Sequence, residues 1–201
     1  MLKAVGAFIV PGFYSEVIVH DPRFSCPSRI NDLALLEPVT REKVRNLLIL
    51  AGRLGIELMV YETYRSQQRQ QELFQNGATK LQAVGVHHYG LACDVVRSIN
   101  GEASWKGDFS FLGRLANSCG LIWGGDWGAP QIRHLFIDSV HVQRCSIGRQ
   151  RDLFSGEWYP EETYDPYDDA GDLPLAGKTE DPRVSPPALA ENQADPGQGR
   201  S

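Results

Sequence analysis

The spacing of apolar and polar residues along the chain predicts helices that alternate loosely with short strands. Apolar residues recur at helical intervals over 40–55, 66–77 and 108–119. Each stretch begins at a residue that can cap a helix, namely Thr40, Ser66 or Asp108. A glycine stands at or just after the end of each, which is typical of a helix C-terminus.

Four shorter runs lack the helical period and have the length and residue types of strands: 56–62, 91–96, 121–127 and 136–142. They are not spaced with the regularity of a doubly wound parallel fold. We therefore predict an α+β fold, with a small, mainly antiparallel sheet and flanking helices.

Composition and charge divide the chain into a body and a tail. With 201 residues, of which 42% are hydrophobic, the chain suits one globular domain. From Glu157 onward eleven acidic residues face three basic ones, and prolines become frequent. The body is left mildly basic, because the net charge of the whole chain is only −5. We predict one folded domain over 1–158 and an acidic, Pro-rich, disordered tail over 159–201.

No run of apolar residues is long enough for a membrane span. The start, MLKAVGAFIVPGF, lacks the basic region and cleavage site of a signal peptide, so we expect mature sequence there. The four cysteines form no CxxC pair, which argues against a cysteine-based zinc site and favours reduced thiols. The small basic excess and the lack of a binding motif exclude nucleic acid as an expected partner.

Two histidines and two acids carry the candidate chemistry. His87 and Asp94 lie in GVHHYGLACD, and DSVH places Asp138 three residues before His141. Imidazole nitrogens and carboxylate oxygens are ordinary zinc ligands, and three protein ligands leave a fourth position for water. The spacing alone leaves a metal site open, as it does the choice between His87 and the adjacent His88.

The wider motifs resemble those of the M15 zinc peptidases. This family comprises D-alanyl-D-alanine carboxypeptidases and dipeptidases and L-alanyl-D-glutamate endopeptidases. Its signature, S-x-H-x-x-G-x-A-x-D followed by acid-x-x-H, is matched by GVHHYGLACD and DSVH. YRS (64–66) resembles the family's arginine motif, and GLIWGGDW (120–127) resembles the tract before the second motif. The resemblance covers about residues 40–145.

The resemblance implies a role for each site residue. The phase of the match makes His87 a zinc ligand rather than His88, together with Asp94 and His141, for one Zn²⁺ per chain enclosed by the sheet and helices. Asp138 would be the catalytic acid–base residue, and Arg65 would hold a positive charge near the oxyanion. Because residues three apart on a regular strand point to opposite faces, 138–141 must turn or bulge if both ends serve the site.

The chain departs from the family pattern at Gly85, Val140 and Val142, and its segment 128–135 is longer than usual. These departures delete no implied ligand, but they bear on substrate preference. We predict a zinc peptidase that cuts peptidoglycan stem peptides at the L-alanyl-D-glutamate bond. The alternatives are a D-alanyl-D-alanine carboxypeptidase or dipeptidase, and a non-catalytic zinc-containing wall-binding module. We expect a monomer that is made in the cytoplasm and reaches the cell wall by release or non-standard export, as a phage endolysin does.

Overall fold

The computed structural model describes residues 12–169. Its helices and strands follow one another along the chain as α1 (Phe13–Glu16), α2 (Pro38–Arg53), β1 (Leu58–Glu62), α3 (Gln67–Gln75), β2 (Ala92–Ile99), β3 (Glu102–Ser104), α4 (Phe111–Ser118), β4 (Ile122–Trp123), β5 (His141–Gln143) and α5 (Gln150–Ser155). Short 3-10 helices lie between them, including one over Val86–Tyr89.

The strands form a single antiparallel sheet with β2 at its centre. Its order is β1-β2-β5-β4, and β3 pairs with the far end of β2. Helices α2 and α4 contact the sheet strands β1 and β4 and each other. The predicted α+β class, with a small antiparallel sheet and flanking helices, is confirmed.

The main core lies between these two helices and the sheet. Val44 and Leu47 of α2 and Leu112 of α4 are fully buried there against apolar side chains of β2 and β5. Cys93 of β2 belongs to the same core, so the neighbouring Asp94 projects from the opposite face of the strand. The alternation of side chains along β2 therefore directs Cys93 into the core and Asp94 to the face that carries the candidate site.

The first long helix begins earlier than the sequence predicted. Pro38 is its first residue, and the Glu37 carboxylate accepts from the backbone N–H groups of Val39 and Thr40. The predicted cap, Thr40, lies inside the helix and donates its hydroxyl to the same carboxylate. The proline fits the first helical turn because no intrahelical partner is needed for its nitrogen. Of the other two predicted caps, Ser66 does accept from the N–H of Arg69. Asp108 is not the cap of α4, because that helix begins at Phe111 with Ser110 as its N-cap, and the Asp108 carboxylate accepts from the Ser110 N–H instead.

Two of the predicted strands are much shorter in the structure. Of the run 121–127, only Ile122–Trp123 pairs with a neighbouring strand. Of the run 136–142, only His141 and Val142 do, in the strand β5 that extends to Gln143. A glycine turn follows β4, and a turn precedes β5, so the backbone leaves the sheet on both sides. The sequence-based prediction extended both strands into these loops because the loop residues are also apolar.

Residues 159–169, which the sequence assigned to a disordered tail, pack against the body. Tyr159 donates its hydroxyl to the Tyr89 carbonyl, and Pro160 is buried. The guanidinium of Arg144, fully buried, donates to the carbonyls of Glu161 and Glu162. Amino-acid composition could not predict the contact of Arg144 with this segment, because the acceptors are backbone carbonyls. The remainder of the predicted tail and the first eleven residues lie outside the described residues.

Within 12–169, no helix combines the length and apolarity required to cross a membrane.

Candidate metal centre

Three polar atoms from different parts of the fold converge at the edge of a cleft. His87 Nε2 lies 3.2 Å from Asp94 Oδ1 and 3.2 Å from His141 Nδ1, and the last two atoms are 3.0 Å apart. All three side chains are buried. Ligand atoms of tetrahedral zinc, with bonds of about 2.0–2.1 Å, lie about 3.3 Å from one another, close to these separations. We call these three side chains the ligand cluster.

The sheet register and one glycine bring the cluster together. Asp94 on β2 and His141 on β5 are direct cross-strand partners. His87 lies on the 3-10 turn before β2, which ends at Gly90 in a left-handed conformation with φ +71°. A Cβ on Gly90 would lie 2.7 Å from both Ile18 Cδ1 and the Leu35 carbonyl oxygen, so only glycine fits.

Hydrogen bonds on the far side of each ring determine which nitrogen faces the cluster. His87 Nδ1 donates to the Thr63 carbonyl at 2.9 Å, which leaves Nε2 without a proton in the neutral ring. His141 Nε2 donates to Gln143 Oε1 at 2.9 Å, which leaves Nδ1 as the inward lone pair. With both rings neutral, two nitrogen lone pairs and a carboxylate oxygen therefore face one another, an arrangement that a shared proton or a metal ion would stabilise.

The electrostatics of the cluster favour positive charge. Burial raises the pKa of Asp94, but the neighbouring His87 and His141 outweigh it and hold that pKa well below its usual range. Burial likewise lowers the pKa of His141, yet the hydrogen bond and charge of Asp94 bring it above the ordinary value. A proton can be shared by two of the three atoms at a time, whereas a metal ion accepts all three. The donor set thus fits a metal ion such as Zn²⁺.

Arg65 contacts the second carboxylate oxygen of Asp94. Its Nη2 lies 3.1 Å from Asp94 Oδ2, and its Nε donates to Glu62 Oε2 at 2.8 Å. Glu62 is buried and also pairs with Arg69 at 3.4 Å. A bulge in β1 between Val60 and Glu62 brings the Glu62 backbone opposite Asp94. Glu62 was not among the residues predicted from sequence, because its position opposite Asp94 is recognisable only once β1 and β2 are paired.

Asp138 reaches the cleft through the turn that its spacing required. The His141 N–H donates to the Asp138 carbonyl at 3.3 Å, which closes a turn directly before β5. Gly124 holds this turn from the other side, because its carbonyl accepts from the Asp138 N–H and its N–H donates to the His141 carbonyl. A Cβ on Gly124 would lie 2.5 Å from the Asp138 carbonyl oxygen. The glycine tract therefore places Asp138 beside the cluster.

The cleft has a volume of about 620 Å³. It is lined by the ligand cluster, by Arg65 and Asp138, and by side chains from α3, the 78–86 loop and the 127–138 loop. Trp127 lines it, with its ring centroid 5.6 Å from that of His141. Trp123 instead packs against the main core and donates to the Ser139 carbonyl. Trp123 and Trp127 thus have different roles.

The adjacent histidine points away from the cluster. His88 Nδ1 donates to the Arg65 carbonyl at 3.2 Å, and its Nε2 lies 3.0 Å from the Tyr14 hydroxyl. Burial lowers the pKa of His88, so the ring is a neutral part of an aromatic core. Of the other histidines, His20 is exposed, and His134 contacts the Ala129 carbonyl at 3.0 Å.

Taken together, the fold and the cluster define a candidate mononuclear metal centre of the hydrolytic class. It has three side chains that could hold a metal ion, an adjacent carboxylate and an open cleft.

Two curated relatives of this chain are both named as L-alanyl-D-glutamate peptidases. The chain is 31% identical over 119 residues to the L-alanyl-D-glutamate peptidase of Listeria phage A118, which covers 57% of this chain and 40% of the relative. It is 29% identical over 111 residues to the peptidoglycan L-alanyl-D-glutamate endopeptidase CwlK of Bacillus subtilis (strain 168), covering 46% of this chain and 66% of the relative. The chain therefore spans less than two thirds of the length of each. No protein-family model matches it.

Among solved structures, the chain is similar to the L-Ala D-Glu endopeptidase ChiX of Serratia marcescens. The identity is 26% and the TM-score 0.45, over 59% of this chain and 90% of that one. The predicted resemblance to the L-alanyl-D-glutamate branch of the M15 peptidases is confirmed by the two curated relatives.

Proposed function

We propose that this protein is a zinc-dependent peptidase that hydrolyses the L-alanyl-D-glutamate bond of peptidoglycan stem peptides. The observation that carries the proposal is the ligand cluster, in which two ring lone pairs and a carboxylate oxygen lie within 3.2 Å of one another in an open cleft. The names of both curated relatives give the bond.

His87, Asp94 and His141 would hold one Zn²⁺ per chain. When bound, zinc polarises the scissile carbonyl and lowers the pKa of a coordinated water toward about 7. The chain's own contribution is preorganisation, because the Thr63 carbonyl, Arg65 and Gln143 each fix one ligand from behind.

Asp138 would move the proton. Its side chain lines the same cleft as the three ligands, and its charge contributes to the raised pKa of His141. From this position the carboxylate can take a proton from the attacking water and pass it to the leaving amine. The turn over 138–141 keeps it beside the cluster.

Arg65 would provide positive charge at the developing oxyanion, as the family resemblance implies. Its Nε and Nη2 are engaged by Glu62 and Asp94, whereas within residues 12–169 its Nη1 makes only a long contact of 3.4 Å to Gln70 Oε1. That third nitrogen is therefore the one that could donate to substrate. The same guanidinium would serve two purposes, orientation of Asp94 and stabilisation of negative charge.

The stem peptide is the proposed partner, and the cell wall is the proposed place of action. Both follow from the relatives, one of them a phage enzyme and the other named for peptidoglycan. We propose that the chain works as a monomer, because the ligand cluster and Asp138 all come from one chain.

Mass spectrometry of digested cell wall tests the function. Peptides with a new N-terminal D-glutamate are the expected products. Release of D-alanine or its dipeptide would instead assign the carboxypeptidase activity. Zinc bound at one equivalent per chain with no cleavage of any stem peptide would leave a wall-binding module.

A further inference from the structure

Gln143 is buried beside the ligand cluster although the family resemblance gives it no role. It is 1% exposed and lies on β5, two residues after His141. Side chains two apart on a strand share a face, so Gln143 stands next to the His141 ring. An uncharged amide in this position must have both of its ends hydrogen-bonded to be tolerated.

Both ends of the amide are occupied. Its Nε2 donates to the Cys145 carbonyl, and its Oε1 accepts from His141 Nε2 at 2.9 Å. The first contact determines the second, because a flipped amide would direct an oxygen at the Cys145 carbonyl and NH₂ at the imidazole. The backbone at Cys145 thus fixes the orientation of the amide, and the amide fixes the proton of the ring.

The two histidines of the cluster use different nitrogens for this reason. His87 directs Nε2 inward because its Nδ1 is bound to the Thr63 carbonyl. His141 directs Nδ1 inward because its Nε2 is bound to Gln143. If the His141 proton moved to Nδ1, a nitrogen lone pair would face Gln143 Oε1 at 2.9 Å, and the inward lone pair would be lost.

We propose that Gln143 is a positioning residue that fixes the tautomer and orientation of His141 for metal binding. This inference rests on the proposed metal site and deepens it. Partners behind a metal ligand typically change metal affinity by about 10–100-fold when removed. The weakening of zinc binding should fall in that range, whatever happens to peptide hydrolysis.

The test compares two substitutions at this position. Gln143→Met fills a similar volume and removes the acceptor. Gln143→Glu keeps an acceptor oxygen toward His141 and, because burial favours the protonated acid, an O–H donor toward the Cys145 carbonyl. Gln150→Met is the matched control, because Gln150 lines the same cleft and has no contact with the cluster among the side-chain hydrogen bonds of the described residues. Zinc dissociation constants are measured on the full chain by competition with a chromophoric chelator.

The cobalt(II) absorption spectrum of each variant provides a readout of ligand geometry that does not depend on activity. We expect Gln143→Met to bind zinc about 10–100-fold more weakly and to alter the cobalt spectrum. Gln143→Glu and Gln150→Met should stay close to the parent protein in both measurements. Circular dichroism of the metal-free proteins verifies that each variant is folded.

Equal affinity for the parent protein and Gln143→Met would overturn the inference. Equal weakening in Gln143→Met and Gln143→Glu would also overturn it, because packing rather than the acceptor would then be responsible. If the parent protein itself binds no zinc, it is the proposed function that fails. The two failures are therefore distinguishable.

Discussion

Two buried polar clusters in this molecule differ in the source of their positive charge. In the Arg144 cluster, a fully buried guanidinium meets the Glu37 carboxylate at 3.0 Å and the carbonyls of Glu161, Glu162 and Tyr164. Cation, anion and acceptors are all present. In the ligand cluster, an anion and two lone pairs converge, and the positive charge must come from a proton or a metal ion.

We infer that the Arg144 cluster has a structural role and that the ligand cluster has a chemical one. The Arg144 cluster joins the N-cap of α2 to residues 161–164 through a cation and an anion that both belong to the chain, although the buried Arg144 Nε has no hydrogen-bond partner among the described residues. In the ligand cluster, a proton can be shared by two of the three atoms, whereas a bound metal ion would contact all three. Substitutions in the first cluster should therefore change stability, whereas those around the second should change metal binding and rate.

The largest effect is expected at Asp138. Asp138→Asn keeps the shape of the side chain but removes the base, so the rate of stem-peptide cleavage should fall about 10²–10⁴-fold. Zinc content should stay at one per chain. Rates come from chromatographic assay of a synthetic stem peptide. Asp126→Asn is the matched control, since Asp126 lies in the adjacent turn and accepts from the Gly128 N–H. A near-normal rate for Asp138→Asn would remove Asp138 from the mechanism.

Arg144→Met should act in the opposite way, on stability alone. Loss of one partner of a buried ion pair typically costs about 3–5 kcal/mol of the free energy of unfolding. Urea unfolding of the zinc-free protein measures the change. Arg149→Met is the control, because Arg149 is 42% exposed beside Asp169 and its pairs are worth about 1 kcal/mol or less. Comparable losses in the two variants would mean that the Arg144 cluster contributes no more than a surface pair.

Removal of metal should destabilise the folded protein through the ligand cluster alone. Zinc at a hundred times its dissociation constant should add about 2.7 kcal/mol to the free energy of unfolding, and a chelator should abolish that increment. His141→Ala should lack the increment, whereas Arg144→Met should retain it in full. Thermal unfolding with zinc and with chelator checks both. An increment that survives in His141→Ala would locate the bound metal elsewhere.

The smallest effect is expected at Gly124. An added Cβ would lie 2.5 Å from the Asp138 carbonyl oxygen and 3.1 Å from the His141 Cβ. Gly124→Ala should therefore cost about 1–3 kcal/mol of the free energy of unfolding and slow cleavage by displacing the turn. Gly148→Ala is the control, since a Cβ on Gly148 would lie no closer than 3.9 Å to its nearest neighbour, Ser146 Oγ. Urea unfolding and the peptide assay measure both quantities.

The sequence was most informative where chemistry depends on short spacing. The phase of GVHHYGLACD selected His87 over His88, and the structure brings His87 into the cluster while His88 turns toward Tyr14. The spacing of Asp138 and His141 required a turn, and the His141 N–H closes one. Helices were located by their period, with errors of a few residues at the ends, because capping can come from a residue such as Glu37 that precedes the pattern.

What the sequence determined by itself is the class of the fold, the candidate ligands and the resemblance to a family of peptidases. What only the tertiary structure decided is how those ligands are oriented. Glu62 became recognisable through the pairing of β1 with β2, which brings it opposite Asp94. Gln143 became recognisable through the contacts of its amide with the His141 ring and the Cys145 carbonyl. The order of residues 159–169 likewise depends on a buried guanidinium that binds backbone carbonyls. Hydrogen-bond partners of this kind are set by distance in space, and neither composition nor periodicity records that distance.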